Sequence, residues 1–403
     1  MKMRGRDGRS SLAGKYLPPL LMVVGFWMVL IFLWKLIGGP FAGTTHYNSY
    51  TLQAMAWRAG NVSLGRDYPH LELAVYNGDW YVSFPPVPSV PLYLLTFFFG
   101  LNTPDSLLVK LYVLAAVVSV YIMLARRKWN RWHAVFLSLC AALGGSMLPL
   151  AMSGAVWYQA QTLAFGLMCV SVLLMMRGKI TPSLFLYALA VGCRPFDVCY
   201  GPLLMLVWYW KRRPASLSEA AYELRRGVAL GLCVAAGYAV YNMVRFGNPL
   251  EFGHNYLPEF TRSANGQFSL SYLSANIRRF VFGLPVYWGE NGLEVEKFGA
   301  SAFLCNPMLL LLIIWYLSDI VRRRASWAHH LTILLFFIQL FLLLLHRTGG
   351  GFQLGARYAA DLVPYSLIYL GLRRRKRSLA WWEISVLLAG LILAFIGTTI
   401  VHI

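Results

Sequence analysis

Charged residues are scarce in this chain. Carboxylates are the scarcest: aspartate and glutamate occupy 16 of 403 positions, whereas lysine and arginine occupy 36. With 13% charged and 58% hydrophobic residues, the composition falls outside the soluble globular class. The six cysteines form no CxxC pair and lie in or beside apolar runs, so buried free thiols are expected. No metal-ligand spacing and no Walker-type loop occurs. We therefore predict no metal site and no certain cofactor, although a divalent metal requirement stays open.

The excess of basic residues is explained by membrane topology better than by nucleic-acid binding. Lysines and arginines stand at the ends of apolar runs instead of forming one patch, which is the pattern of the positive-inside rule. The basic clusters are Arg126–Arg131, Arg177–Lys179, Lys211–Arg226, Arg322–Arg324 and Arg373–Arg377. A nucleic-acid partner is therefore not expected, and these clusters are assigned to the cytoplasmic side.

This assignment predicts an all-α polytopic membrane protein that forms a single integral domain over residues 1–403. Runs suited to crossing about 30 Å of hydrocarbon give about 11 transmembrane helices, with the N-terminus cytoplasmic and the C-terminus outside. The predicted spans are 16–39, 106–125, 133–150, 159–176, 182–193, 197–210, 227–244, 301–320, 328–346, 359–372 and 381–401. The pair 182–193 and 197–210 also permits one bent span.

Two long outer loops, residues 40–105 and 245–300, hold most of the polar groups that topology does not explain. The apolar run 87–101 in the first loop is short and contains two prolines, so we interpret it as an interfacial helix. Residues 46–91 are polar and aromatic, and they carry three of the 16 acidic residues. A loop of this length and composition indicates chemistry or binding.

The first loop supplies the candidate catalytic residues. Glu72 has apolar neighbours, which favour a raised pKa suited to a general base; the alternative is an ion pair with Arg66. The other candidates are His46, with Asn48 beside it as a binding residue, and the carboxylates Asp67 and Asp79. His46 and Asn48 follow the first span and are expected to face a cavity beneath the loop. Asp67 and Asp79 lie in turn-like contexts, where turn chemistry is the better interpretation.

Candidate phosphate-binding residues come from three later segments. Arg194 lies between two short apolar runs, and its planar guanidinium suits a phosphate, although Asp197 could instead be its ion-pair partner. Arg245 and His254 flank a GNP turn. The glycine-rich segment 349–364 adds a third set, Gln353, Arg357 and Tyr358. The alternative for Arg357 and Asp361, which lie four residues apart in that segment, is a salt bridge at the start of a helix with no role in binding.

The order of these motifs resembles a known family. A first span is followed by HYNSYTLQAMAWRAG and LELAVYNGDWYVSFPPVP, then by RP between two short runs, YNMVRFGNPLEFG, and GxQxGxRYxxDxxP from Gly351 to Pro364. This pattern resembles the polytopic membrane glycosyltransferases of the GT-C fold. It is most similar to the bacterial members related to the protein O-mannosyltransferase and aminoarabinose transferase group.

The resemblance implies a multi-pass enzyme of a bacterial plasma membrane that transfers a sugar from a polyprenyl-phosphate carrier, with inversion. The acceptor would be a glycan, a lipid or a protein at the outer face. An acidic residue of the first loop would act as base, and basic residues would hold the carrier phosphate. Many relatives have an aspartate soon after the first span, where this chain has Gly43 to Asn48. The alternatives are a transporter or flippase of a lipid-linked substrate and a non-catalytic homologue in envelope assembly.

Overall fold

The computed structural model describes residues 12–290, 292–352, 354–373 and 378–402, and helices make up most of this part of the chain. Its α-helices are α1 Leu12–Ile37, α2 Ser49–Arg58, α3 Ser89–Phe99, α4 Asp105–Arg126, α5 Arg131–Leu143, α6 Met147–Leu150, α7 Val156–Met176, α8 Ile180–Val191, α9 Tyr200–Arg212, α10 Leu217–Phe246, α11 Pro258–Thr261, α12 Leu273–Phe280, α13 Ala302–Cys305, α14 Pro307–Val321, α15 Trp327–Leu344, α16 Val363–Leu372 and α17 Trp381–His402. The strands are β1 Leu73–Tyr76, β2 Asp79–Val82, β3 Val286–Gly289 and β4 Gly292–Val295. Short 3-10 helices cover Gly100–Asn102, Pro195–Cys199, His254–Tyr256, Leu270–Tyr272 and Arg357–Leu362.

Six helices of the described residues are long and apolar enough to cross a membrane. They are Gly14–Ile37, Asp105–Arg126, Val156–Met176, Leu217–Phe246, Trp327–Leu344 and Trp381–Val401. Each overlaps one of the predicted spans, which agrees with a multi-pass membrane protein. The other five predicted spans correspond to shorter or interrupted helices, so the number of eleven crossings stays a prediction.

The interruptions have local causes. The predicted span 133–150 is broken after α5, and the span 359–372 begins as the 3-10 helix Arg357–Leu362 before α16. The segments 182–193 and 197–210 form the two helices α8 and α9, and their assignment to two spans or to one bent span stays a prediction. Between them Arg194 has extended backbone angles, as expected for a residue that precedes a proline. Pro195 then starts a 3-10 helix because its ring has no backbone N–H to continue α8.

The membrane helices pack in the order α10, α8, α7, α4, with α5 and α1 beyond α4. Helices α14 to α17 close the other side of one large apolar core. Helix α10 presents mostly exposed side chains, which is typical of a helix that faces lipid. The starts of α7 and α16 therefore lie next to the loops that follow α1 and α10.

The first long loop, residues 40–105, contains helices α2 and α3 with the hairpin β1–β2 between them. Asn77 and Gly78 form the two-residue turn of the hairpin, both with positive φ, a conformation that this dipeptide favours. Tyr50, Val82, Phe84 and Leu92 pack the loop onto the start of α7. Helix α3 matches the predicted interfacial helix in position, and its location at the interface stays a prediction.

Candidate active site

A cavity of about 680 Å³ lies where the first long loop meets the second, residues 245–300, above the start of α7. Its lining includes Glu72, Arg194, His254, Arg357 and Tyr358, all of them predicted from the sequence as site residues. These residues come from four distant segments of the chain. The structure therefore brings a carboxylate, two guanidinium groups and an imidazole to one chamber, referred to below as the arginine cavity.

Glu72 stands at the base of the β1–β2 hairpin. The Ser83 hydroxyl donates to the Glu72 carbonyl oxygen (3.3 Å), and the Trp157 indole N–H donates to its Oε2 (2.8 Å). The expectation that Glu72 is surrounded by apolar groups is wrong: strand alternation buries Leu71 and Leu73 and turns Glu72 outward into the cavity. The ion pair with Arg66 is not formed in the described structure, where Arg66 lies over the Tyr68 ring.

Arg194 is neutralised by a carboxylate far away in the sequence. Its Nε donates to Asp361 Oδ2 (2.8 Å), and its Nη2 lies 2.8 Å from the same oxygen. Burial acts to lower the pKa of Arg194, but the adjacent Asp361 carboxylate outweighs it and raises the pKa above its ordinary value. Two alternatives from the sequence are therefore wrong. Asp197 is not the ion-pair partner of Arg194, and Asp361 does not form a salt bridge with Arg357.

Arg357 is buried (5% exposed), and its Nε and Nη1 have no hydrogen-bond partner among the described residues. Its guanidinium lies near the rings of Tyr158 and Tyr358, with centroid distances of 5.8 and 5.2 Å. Burial, with the neighbouring Arg194 charge, lowers the pKa of Arg357. A buried guanidinium with unpaired N–H groups beside a cavity is chemically suited to an anion.

The peptide of Arg357 is held by two contacts that orient its side chain. Gln161 Nε2 donates to the Arg357 carbonyl oxygen and to Asp361 Oδ1, both at 2.8 Å, so one amide fixes the positions of both residues. Gly350 packs against Arg357 with a φ of +114°, and a Cβ there would come within 2.8 Å of Arg357 Nε. Glycine is thus required at this point of the glycine run.

Two groups of the second long loop complete the wall. Burial lowers the pKa of His254 to about 3, with His346 and Arg194 adding to the effect, so this imidazole stays neutral. Burial and the nearby Glu72 carboxylate raise the pKa of Glu259. Glu259, Trp157 and His346 line the cavity and were missed from the sequence, because none of them stands in a motif that marks a site.

Several predicted site residues lie away from the arginine cavity. His46 and Asn48 line a second cavity, Asp67 is exposed outside both, and Asp79 starts β2 beside the hairpin turn. Gln353 lies outside the described residues. None of these four described side chains contributes to the lining of the chamber that contains Glu72.

Arg245 is also absent from the lining of the arginine cavity. Its Nη1 donates to the Val82 carbonyl oxygen and its Nη2 to Asn242 Oδ1, both at 2.9 Å, so it ties α10 to β2. Its guanidinium lies over the Tyr241 and Phe246 rings. These hydrogen bonds account for the burial of Arg245 as a contact between α10 and β2, without a ligand.

Within the described residues, no three or more histidines, cysteines or carboxylates are grouped closely enough to hold a metal ion. Three carboxylates of the described residues line the arginine cavity, Glu72, Glu251 and Glu259, and the Glu72 charge contributes to the raised pKa of Glu259.

The fold of the chain is that of the GT-C membrane glycosyltransferases. It is similar to the archaeal oligosaccharyltransferase AglB from Archaeoglobus fulgidus in complex with an inhibitory peptide and a dolichol-phosphate (TM-score 0.55, 13% identity). That match covers 96% of this chain and 56% of the archaeal chain, so this chain spans little more than half of that protein.

A second structure with this fold is ArnT from Cupriavidus metallidurans bound to undecaprenyl phosphate (TM-score 0.54, 12% identity). The match covers 97% of this chain and 77% of ArnT. No protein-family model and no curated protein sequence matches the chain. At this level of identity the likeness establishes the fold, and the chemistry has to be argued from the residues of the cavity.

Proposed function

We propose that the protein transfers a sugar from a polyprenyl-phosphate carrier to an acceptor at the outer face of a membrane. The observation that carries the proposal is the buried Arg357 side chain, which lines the cavity shared with Glu72 and whose Nε and Nη1 have no hydrogen-bond partner among the described residues. An unpaired buried cation is costly unless an anion completes it in the working state. The dolichol-phosphate and undecaprenyl phosphate of the two similar structures are anions of the class we propose for this site.

The charges of the cavity favour Arg357 over Arg194 as the phosphate ligand. Arg194 already bonds Asp361, so its charge is balanced within the protein. Arg357 forms no ion pair among the described residues, and the nearby Arg194 charge adds to the effect of burial in lowering its pKa. In this proposal Arg194 positions the 3-10 helix Arg357–Leu362 through Asp361, and Arg357 binds the phosphate.

The reaction follows from the placement of a base and a cation on one chamber. Glu72 takes the proton of an acceptor hydroxyl, the acceptor oxygen forms a bond to the anomeric carbon, and the bond from that carbon to the phosphate oxygen breaks. The electron pair leaves with the phosphate, which gains one negative charge next to Arg357. Attack from the side opposite the phosphate inverts the anomeric centre. The Trp157 indole bond to Oε2 orients the Glu72 carboxylate for this role.

The proposal extends to location and partners. We place the chain in a bacterial plasma membrane, with its N-terminus cytoplasmic and both long loops outside, as the basic clusters predict. The donor is a polyprenyl-phosphate sugar, and the acceptor is a glycan, a lipid or a protein. A transporter would not need a hydrogen-bonded carboxylate and a cation without an ion-pair partner among the described residues on the same cavity, so the cavity favours group transfer.

The decisive experiment measures sugar transfer from polyprenyl-phosphate donors by the purified full chain. We expect transfer by the wild type and a loss of about 10²- to 10⁴-fold in kcat for Glu72→Gln, the range typical of a general base. Glu259→Gln is the matched control, because Glu259 lines the same cavity as Glu72 but accepts no indole hydrogen bond among the described residues. Equal activity of wild type and Glu72→Gln would remove Glu72 as base. Movement of the lipid-linked sugar without transfer would instead establish a transporter.

A further inference from the structure

A second cavity, of about 700 Å³, lies within the first long loop between α2 and residues 61–70. His46 and His70 stack on its wall with ring centroids 4.1 Å apart, and Arg66 lies over the Tyr68 ring at 4.7 Å. All four of these residues line the space, which we name the histidine cavity. Neither the proposed reaction nor the packing of the membrane helices uses these side chains.

The polar groups of the histidine cavity favour an anion. Arg66 supplies a full positive charge, and the imidazoles of His46 and His70 supply N–H groups. The described residues that line it include no aspartate or glutamate, since the adjacent Asp67 turns outside. Asn48, the N-cap residue of α2, also lines the cavity, and its side chain makes no capping hydrogen bond. The Asn48 amide can therefore donate to an anion in the cavity.

Part of the remaining wall is apolar and leads to an exposed apolar helix. Leu52, Met55 and Leu101 line the cavity, and Leu101 directly follows α3. On α3 the side chains of Phe97 and Phe98 are exposed by 57% and 82%. A helix with exposed aromatic residues on a membrane protein is suited to the lipid interface. The cavity therefore offers cationic groups at one end and a path into lipid at the other.

We propose that the histidine cavity binds the anionic head group of a membrane lipid, with the acyl chains lying along α3. Arg66 and the Asn48 amide would hold the phosphate, while Leu101 and the exposed aromatic residues of α3 would contact the chains. This site is separate from the arginine cavity: the wall between them contains His46 on one side and Tyr47 on the other, with Tyr47 packed against Trp157 at 5.0 Å.

Lipid binding by the purified full chain tests the proposal, with phosphatidylglycerol and phosphatidylcholine as probes and native mass spectrometry as the readout. We expect the wild type to retain phosphatidylglycerol in preference to phosphatidylcholine. Arg66→Gln should weaken phosphatidylglycerol binding about fivefold, the effect of one basic residue at a lipid surface. Arg66→Lys keeps the charge and should restore most of the binding, which separates a charge contact from misfolding.

Two control variants locate the lipid. Arg262→Gln removes an exposed arginine of the second long loop that lines neither cavity, and it should leave binding unchanged. Arg357→Gln reports on the other site at which a lipid phosphate could bind, because Arg357 belongs to the arginine cavity. Loss of binding in Arg357→Gln but not in Arg66→Gln would overturn the proposal, as would equal retention of phosphatidylcholine. Inorganic phosphate that competes as tightly as the lipid would exclude a lipid site. The readout is independent of sugar transfer, so it stands whether or not the proposed reaction is found.

Discussion

Replacing Arg357 by glutamine should separate function from stability in this protein. The guanidinium is 5% exposed, and its Nε and Nη1 have no partner among the described residues. Gln keeps a polar side chain but removes the charge that we assign to the carrier phosphate. If Arg357 compensates the charge that develops on the leaving phosphate, its loss should reduce kcat about 10²- to 10³-fold, or about 3–4 kcal/mol, as for removal of a single oxyanion donor.

The same change should not destabilise the fold. Contacts of Arg357 with the rings of Tyr158 and Tyr358 contribute about 0.5–2 kcal/mol. Burying the guanidinium without a counter-charge costs several kcal/mol, so the two effects at least cancel. We therefore expect the unfolding temperature of ligand-free Arg357→Gln to equal or exceed that of the wild type.

Two assays on the same preparations check this pair of expectations. One measures sugar transfer from a polyprenyl-phosphate donor, and the other measures thermal unfolding in detergent with and without polyprenyl phosphate. Added polyprenyl phosphate should stabilise the wild type and not Arg357→Gln, because only the wild type has the free cation to bind it. Near-normal transfer, or a clear fall in the unfolding temperature without ligand, would refute the reasoning and make Arg357 a structural residue.

Three further changes test the surroundings of Arg357. Arg194→Gln leaves the Asp361 carboxylate buried and unpaired, so it should destabilise the fold by about 3–5 kcal/mol, measured by thermal unfolding; unchanged stability would contradict the ion pair. Trp157→Phe removes the indole N–H that orients Glu72. It should lower kcat in a transfer assay about tenfold at most, while a binding assay should show unchanged donor affinity. The pKa of His254 is lowered to about 3 in the fold, below its ordinary value near 6.5, so the unfolded chain takes up a proton that the folded chain does not. The free energy of unfolding should consequently fall as the pH drops from about 6.5 towards 3, by at most about 1.4 kcal/mol per pH unit, and His254→Gln should remove that part of the slope in pH-dependent unfolding.

Much of the local structure could be predicted because it depends on neighbouring residues. The long apolar runs produced helices near the expected positions, whereas the two short β-hairpins were not expected in a chain predicted to be all-α. Glu72, Arg194 and Arg357 were selected as isolated charges in apolar or glycine-rich surroundings, and they do meet at one cavity. An ionisable group at such a position is costly, so its presence in a sequence is informative by itself.

The pairing of charges could not be predicted in the same way. From the sequence, Asp197 was a possible partner of Arg194, and Asp361 of Arg357, since each pair is separated by three or four residues. In the structure Arg194 instead reaches Asp361, 167 residues later, and Arg357 forms no ion pair among the described residues. The environment of Glu72 was also mistaken, because the hairpin turns it away from the apolar residues on either side.

By itself, the sequence determined that this chain is a helical membrane protein with a carboxylate-bearing loop and a few isolated arginines. Those features follow from hydrophobicity and turn preference, which act over a few residues at a time. Only the tertiary structure decided which arginine stays unpaired and which residues share a cavity. Those outcomes depend on how α7, α16 and the two long loops pack, and a buried charge finds its partner across that packing, whatever the separation along the chain.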